Sequence, residues 1–192
     1  MHKYLKHLLI YSLVLIYSCT DEVKVQERTG LAPTTETPQA NENKKYNAII
    51  NGFNKKIEIL RKRIKNNSLD KIPTSVQEHK DRITAYEQFI SWIEKNPDKK
   101  KELDKACTEA YNLLEKRRKN NAPEKTLAEY ISDAIDCKEN PSCKDTKKYG
   151  TKSNQINRLF GLNSVSIFSS NNNKEIFDKF KQINISPIKD DF

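Results

Sequence analysis

Apolar residues recur at threes and fours along most of this chain. Between Lys44 and Asn66 they are Tyr46, Ile49, Ile50, Phe53, Ile57, Leu60 and Ile64, with Lys55, Lys56, Arg61, Lys62 and Lys65 away from them. A helix of 3.6 residues per turn gathers such positions on one face, so the spacing predicts a first amphipathic helix here. Gly52 reads as a small penalty inside it. Asn66-Asn67-Ser68 and Pro73 interrupt the pattern. A second helix is expected from Thr74 or Ser75, where Ser75 and Glu78 have capping-box spacing. Its stripe is Val76, Ile83, Tyr86, Phe89, Ile90 and Ile93, with Trp92 beside it.

Asn96-Pro97 reads as an N-cap followed by proline at the first helical position. One helix is predicted from there to about Lys119, through Leu103, Ala106, Cys107, Ala110, Leu113 and Leu114. The pattern restarts at Ala122-Pro123 and runs through Leu127, Tyr130, Ile131, Ala134 and Ile135 to about Cys137. Lys138–Lys152 reads as loop. Short helices follow at about Ser153–Leu162 and Lys174–Gln182, separated by Asn171-Asn172-Asn173. Ser164–Ser169 alternates weakly, and helix packing suits it better than a strand. No stripe can be buried alone, so the helices share one core. The expectation is an all-α fold, an antiparallel bundle of about four to six helices over residues 44–185, with 186–192 frayed.

The first nineteen residues follow another rule. A basic start (Lys3, Lys6) precedes an apolar run from Leu8 to Tyr17, then Ser18 and Cys19. About twenty apolar residues are needed to span a bilayer, and this run is about half that. It reads as an export signal over residues 1–18. The cysteine after Ser18 is similar to the acylated first residue of mature bacterial lipoproteins, which assigns lipidation to Cys19. A single acyl chain holds a protein only marginally, whereas several give stable attachment, so the implied partner is a membrane. Residues 20–43 carry Pro, Thr, Glu, Gln and Asn and no aromatic. Such a segment has too little apolar surface to offset its ordering entropy, so 19–43 reads as a disordered tether.

Composition narrows the function. Hydrophobic residues make up 35% and charged residues 32%, and four glycines argue against a turn-rich β fold. Without Lys3 and Lys6 the 35 Lys and Arg become 33, against 26 acids, a formal charge of +7. Export argues against nucleic acid, and the basic clusters lack the interleaved aromatics that stack bases. A basic exported protein can instead meet glycosaminoglycan or an acidic protein. Lys116-Arg117-Arg118-Lys119 is the candidate polyanion contact, beside Arg61-Lys62-Arg63, Lys99-Lys100-Lys101 and Lys147-Lys148. His79 is the one histidine outside the signal, without a recognisable catalytic partner pattern. No phosphate-cradling loop is present. No catalytic residue, metal site or cofactor is assigned. Beyond Cys19, Cys137 and Cys143 bracket five residues that include Pro141 and would close a small disulfide loop. Cys107 paired with either is the competing connectivity.

The stretch TAYEQFISWIEKNPDKKKELDKACTEAYNLLEKRRKNNAPEKTLAEYISDAIDC, with the later NQINRLF and NKEIFDKF, resembles the plasmid-encoded outer-surface lipoproteins of Borrelia spirochaetes, particularly the orf-D type, with the related multicopy lipoprotein family as the alternative. The likeness covers about Thr74–Phe180. It implies a mostly helical, non-enzymatic lipoprotein of the cell surface, attached to the outer membrane by acyl chains such as palmitate and acting in virulence. Its partner would be a host or tick protein or a glycosaminoglycan. The alternatives are an envelope lipoprotein facing the periplasm and, third, an enzyme.

Overall fold

The computed structural model describes residues 42–66, 73–144, 146–151 and 153–189. The expected signal, Cys19 and most of the tether lie outside these residues. The described part is helical, with no strand in it. Its helices are α1 (Lys44–Lys65), α2 (Pro73–Glu94), α3 (Pro97–Ala106), α4 (Thr108–Asn121), α5 (Leu127–Glu139), α6 (Gln155–Ile167), α7 (Asn173–Lys181) and α8 (Ser186–Lys189). The expected all-α class holds.

Helix α1 organises the fold. It packs against α2, α3, α4, α5 and α6. Its predicted stripe is the buried one: Tyr46, Ile49, Phe53 and Ile57 are almost fully removed from water. Phe53 lies at the centre of an aromatic cluster. Its ring meets Phe160 edge-on at 5.3 Å, Phe168 at 5.4 Å and Phe180 at 5.5 Å, centroid to centroid. These partners come from α6, the residue just after it, and α7. Phe89 of α2 stacks on Phe180 at 5.9 Å. Burying each such ring contributes about 1.5–3 kcal/mol, and the offset and edge-on geometry adds to that.

Gly52 has a role that its propensity does not suggest. A Cβ built there would stand 2.3 Å from two ring carbons of Phe160. The missing side chain lets α1 and α6 approach closely.

The predicted third helix is divided. Cys107 has φ −74° and ψ −3°, well short of the usual helical ψ, and ends α3 one residue before α4 begins. The buried face nevertheless continues through Leu103, Cys107, Ala110 and Leu114. Helix α2 begins at Pro73, just ahead of the expected start; the side chains of Thr74 and Ser75 lie outside the described residues. Helix α5 begins at Leu127 rather than near Ala122. Thr126 and Glu129 supply the reason: Thr126 Oγ1 accepts from the Glu129 N–H, and Glu129 Oε2 accepts from the Thr126 N–H at 2.7 Å, a reciprocal cap.

One further expectation holds, helix rather than strand at Ser164–Ser169, and one changes. Ser164–Ser169 joins α6 as far as Ile167, because Leu159, Asn163 and Ile167 continue one buried face at four-residue steps. The C-terminal segment expected to fray from residue 186 forms α8 instead, with Pro187 and Ile188 buried. Asn163, 1% exposed, holds it in place. Its Nδ2 donates to the Asn184 carbonyl at 2.8 Å, and its Oδ1 accepts from the Asn184 N–H at 2.8 Å.

Candidate functional site

Cys19, the assigned lipidation residue, lies outside the described residues. The other three cysteines are all placed. Cys137 at the end of α5 is bonded to Cys143, with their Cα atoms 5.2 Å apart. Closing so short a loop stabilises by about 2 kcal/mol in the chain-entropy account. Cys107 is a free thiol, fully buried among α3, α4 and their neighbours. Burial, helped by the charge of Asp104, pushes its pKa up to about 12. A thiol so suppressed is a packing element rather than a nucleophile.

The four-residue cluster Lys116–Lys119 does not form one cationic face. Successive helical residues radiate about 100° apart, which already spreads the four around the axis. Arg118 is absorbed into the structure. Its Nε and Nη2 donate to the two carboxylate oxygens of Glu115 at 2.8 and 2.7 Å, and Nη1 donates to the carbonyls of Pro123 and Lys125 at 3.0 and 2.8 Å. That fork closes the turn between α4 and α5 and holds the Glu115 carboxyl below its ordinary range. Arg117 donates to the Lys147 carbonyl at 2.8 Å. Of the four, only Lys116 and Lys119 are exposed.

Two of the other clusters are engaged too. Arg61 meets Glu87 and Arg63 meets Glu139, each at 2.5 Å, and Lys62 meets Glu58 at 2.6 Å. Lys99 lies over the Phe177 ring at 4.8 Å, and Lys100 pairs with Glu94 at 2.8 Å. Exposed pairs of this kind contribute little stability, but they neutralise charge locally. His79 sits half-buried on α2. Among the described residues, no group of three or more His, Cys, Asp or Glu is placed to hold a metal, and no helix is long and apolar enough to cross a membrane.

Two recesses flank the outward side of α6, which carries the exposed Leu162 and Val165. One, of about 360 Å³, lies between α2 and the end of α6 and mixes Glu78 and Asp81 with Arg82. The other, of about 480 Å³, lies where α5 ends and α6 begins, lined by Lys138, Ser153, Asn157, Arg158 and Leu162 among others. Sequence reading placed Lys138 in a loop and gave Arg158 and Lys56 no role. Only the return of α6 beside α1 and α5 makes them neighbours.

A family model described as the Mlp lipoprotein family matches residues 35–179. Lipoprotein MlpJ of Borreliella burgdorferi (strain B31) is 28% identical over 199 aligned positions, covering 93% of this chain and 90% of the relative. No solved structure matches. Matched by that family model over more than half its length, the chain belongs to the Mlp lipoprotein family.

Proposed function

We propose that this lipoprotein is held in the outer membrane by acyl chains on Cys19, faces outward, and serves in contact with host or tick-vector molecules rather than as an enzyme. The observation that carries the reading is an order of segments. A basic start and a short apolar run precede Cys19, a polar stretch with no aromatic residue follows it, and the helical domain begins at Lys44. The family match supports the lipoprotein part. The proposed tether would serve to keep the domain off the headgroups.

Labelling of cells with radioactive palmitate, with and without globomycin, tests the anchor. Incorporation that disappears in a Cys19→Ala variant is expected; labelling that persists in that variant would sink the assignment. Proteinase K added to intact cells tests the side of the membrane. Digestion is expected. A chain that survives until the envelope is permeabilised faces the periplasm, and the contact with host or vector molecules falls with that result.

A further inference from the structure

The recess between α5 and α6 differs from the rest of the surface in its charge. Lys138 and Arg158 line it, and Lys56 reaches its rim from α1, its Nζ donating to Asn157 Oδ1 at 2.8 Å. The Lys56 stem passes Gly161, where a Cβ would find its nearest neighbour, Lys56 Cε, only at 4.0 Å. Among the described residues, no acidic side chain lines the recess or pairs with Lys138 or Arg158. Glu139, the carboxylate that acts on Lys56, is already held by Arg63 at 2.5 Å. Burial carries the Lys56 amine below its ordinary range, and the charges of Arg63 and Lys138 act in the same direction against the pull of Glu139. The positive end of the α6 dipole, at its N-cap Asn154, adjoins the same space. The clusters at Arg61–Arg63 and Lys99–Lys100, by contrast, have carboxylates or rings against them.

We propose that this recess binds an acidic saccharide, a sugar unit carrying sulfate or carboxylate. Arg158 and Lys138 would take the anion, Ser153 and Asn157 the hydroxyls, and the half-exposed Leu162 the apolar face of the ring. The volume lies within the usual range of about 300–1,000 Å³ for small-ligand sites. The walls favour a sugar over an extended peptide: apart from Ser153 and the N-cap Asn154 they are helical, and no strand edge is offered for main-chain pairing. The ligand's access to the recess in the living cell rests on the outward-facing reading above. Binding in solution does not, so the two can fail separately.

The test is calorimetric titration of the full chain, in detergent, with a heparin-derived tetrasaccharide at low and at physiological ionic strength. One-to-one binding is expected. Lys138→Gln and Arg158→Gln should each weaken it about tenfold, the loss of one charge-assisted contact. Lys116→Gln and Lys119→Gln should leave it unchanged. Both lining residues are exposed, so unchanged far-UV circular dichroism verifies that the variants fold. A desulfated tetrasaccharide that retains its carboxylates identifies the anion; binding by it or by the sulfated form alone fits the proposal. Absence of binding overturns it, as does undiminished affinity in the Lys138 and Arg158 variants. A polyglutamate peptide that binds as tightly, with the same dependence on these residues, overturns the saccharide in favour of an acidic peptide.

Discussion

Alanine in place of glycine should have opposite effects at two positions in this protein. At Gly161 the new methyl meets nothing closer than Lys56 Cε at 4.0 Å, so only the helical propensity changes, and Gly161→Ala should stabilise by up to about 1 kcal/mol. At Gly52 the same propensity gain is opposed by the Phe160 ring, with two carbons at 2.3 Å and a third at 2.7 Å. Carbon atoms prefer about 3.5–4.0 Å, so more than an ångström of movement is required. The ring cannot supply it freely: Phe160 has no exposed surface and lies edge-on against Phe53. Overpacking of this severity costs about 3 kcal/mol, the upper part of the usual range. The net effect of Gly52→Ala is therefore a loss of about 2 kcal/mol. For a domain of this size the melting temperature should fall about 4–8 °C, against a rise of about 2–4 °C for Gly161→Ala. Thermal melts followed at 222 nm, with urea titrations alongside, measure both. Combining Gly52→Ala with Phe160→Leu should cost less than the two single changes added together, because the smaller side chain removes the clash. A Gly52→Ala protein that melts as high as Gly161→Ala, or a double variant that is simply additive, would refute the close approach of α1 and α6.

Three further outcomes follow from individual side chains. Asp104 of α3 accepts hydrogen bonds from the N–H groups of Lys45 and Tyr46, at 2.8 and 2.9 Å, and so caps α1 from another helix. Asp104→Ala should cost about 2 kcal/mol in urea melts and Asp104→Asn markedly less, with amide exchange quickened at Lys45 and Tyr46; equal losses in the two would contradict the cap. Asn163→Leu strips both partners from the Asn184 backbone, so residues 183–189 should be cut by protease well before the domain melts; cleavage only on global unfolding would show that Asn163 does not hold the tail. Cys107, raised from 9.0 to about 12, should resist iodoacetamide at pH 8 in the folded chain and react on denaturation. Its burial as a neutral thiol contributes stability that is full below about pH 9 and is lost as pH rises toward 12, because the unfolded chain releases the proton first. Alkylation at equal rates in urea and in buffer would overturn that placement.

How far local pattern reaches is visible in α1, whose apolar spacing marked the buried face almost residue for residue. Caps are less legible. Thr126 and Glu129 have capping-box spacing, yet Ala122-Pro123, just upstream, is what the local pattern marks as the start. Asp104 could not be read at all. In the sequence it sits among lysines like any solvated acid, and its role depends on a helix some sixty residues earlier beginning beside it. The candidate cluster at Lys116–Lys119 failed as a unit for a related reason: adjacency in sequence spreads side chains around a helix, and Arg118 was claimed by carbonyls of the following turn.

By itself, the sequence determined the helical class, the principal buried stripes and the resemblance to Borrelia lipoproteins. These depend on periodicity and on runs of neighbouring residues, which are local quantities. Tertiary structure alone decided that Gly52 is a contact, that Asp104 is a cap, that the tail docks through Asn163, and that Lys56, Lys138 and Arg158 share one recess. Each of these joins positions far apart in the chain, and a long-range meeting is set by how the helices pack, which no local pattern encodes.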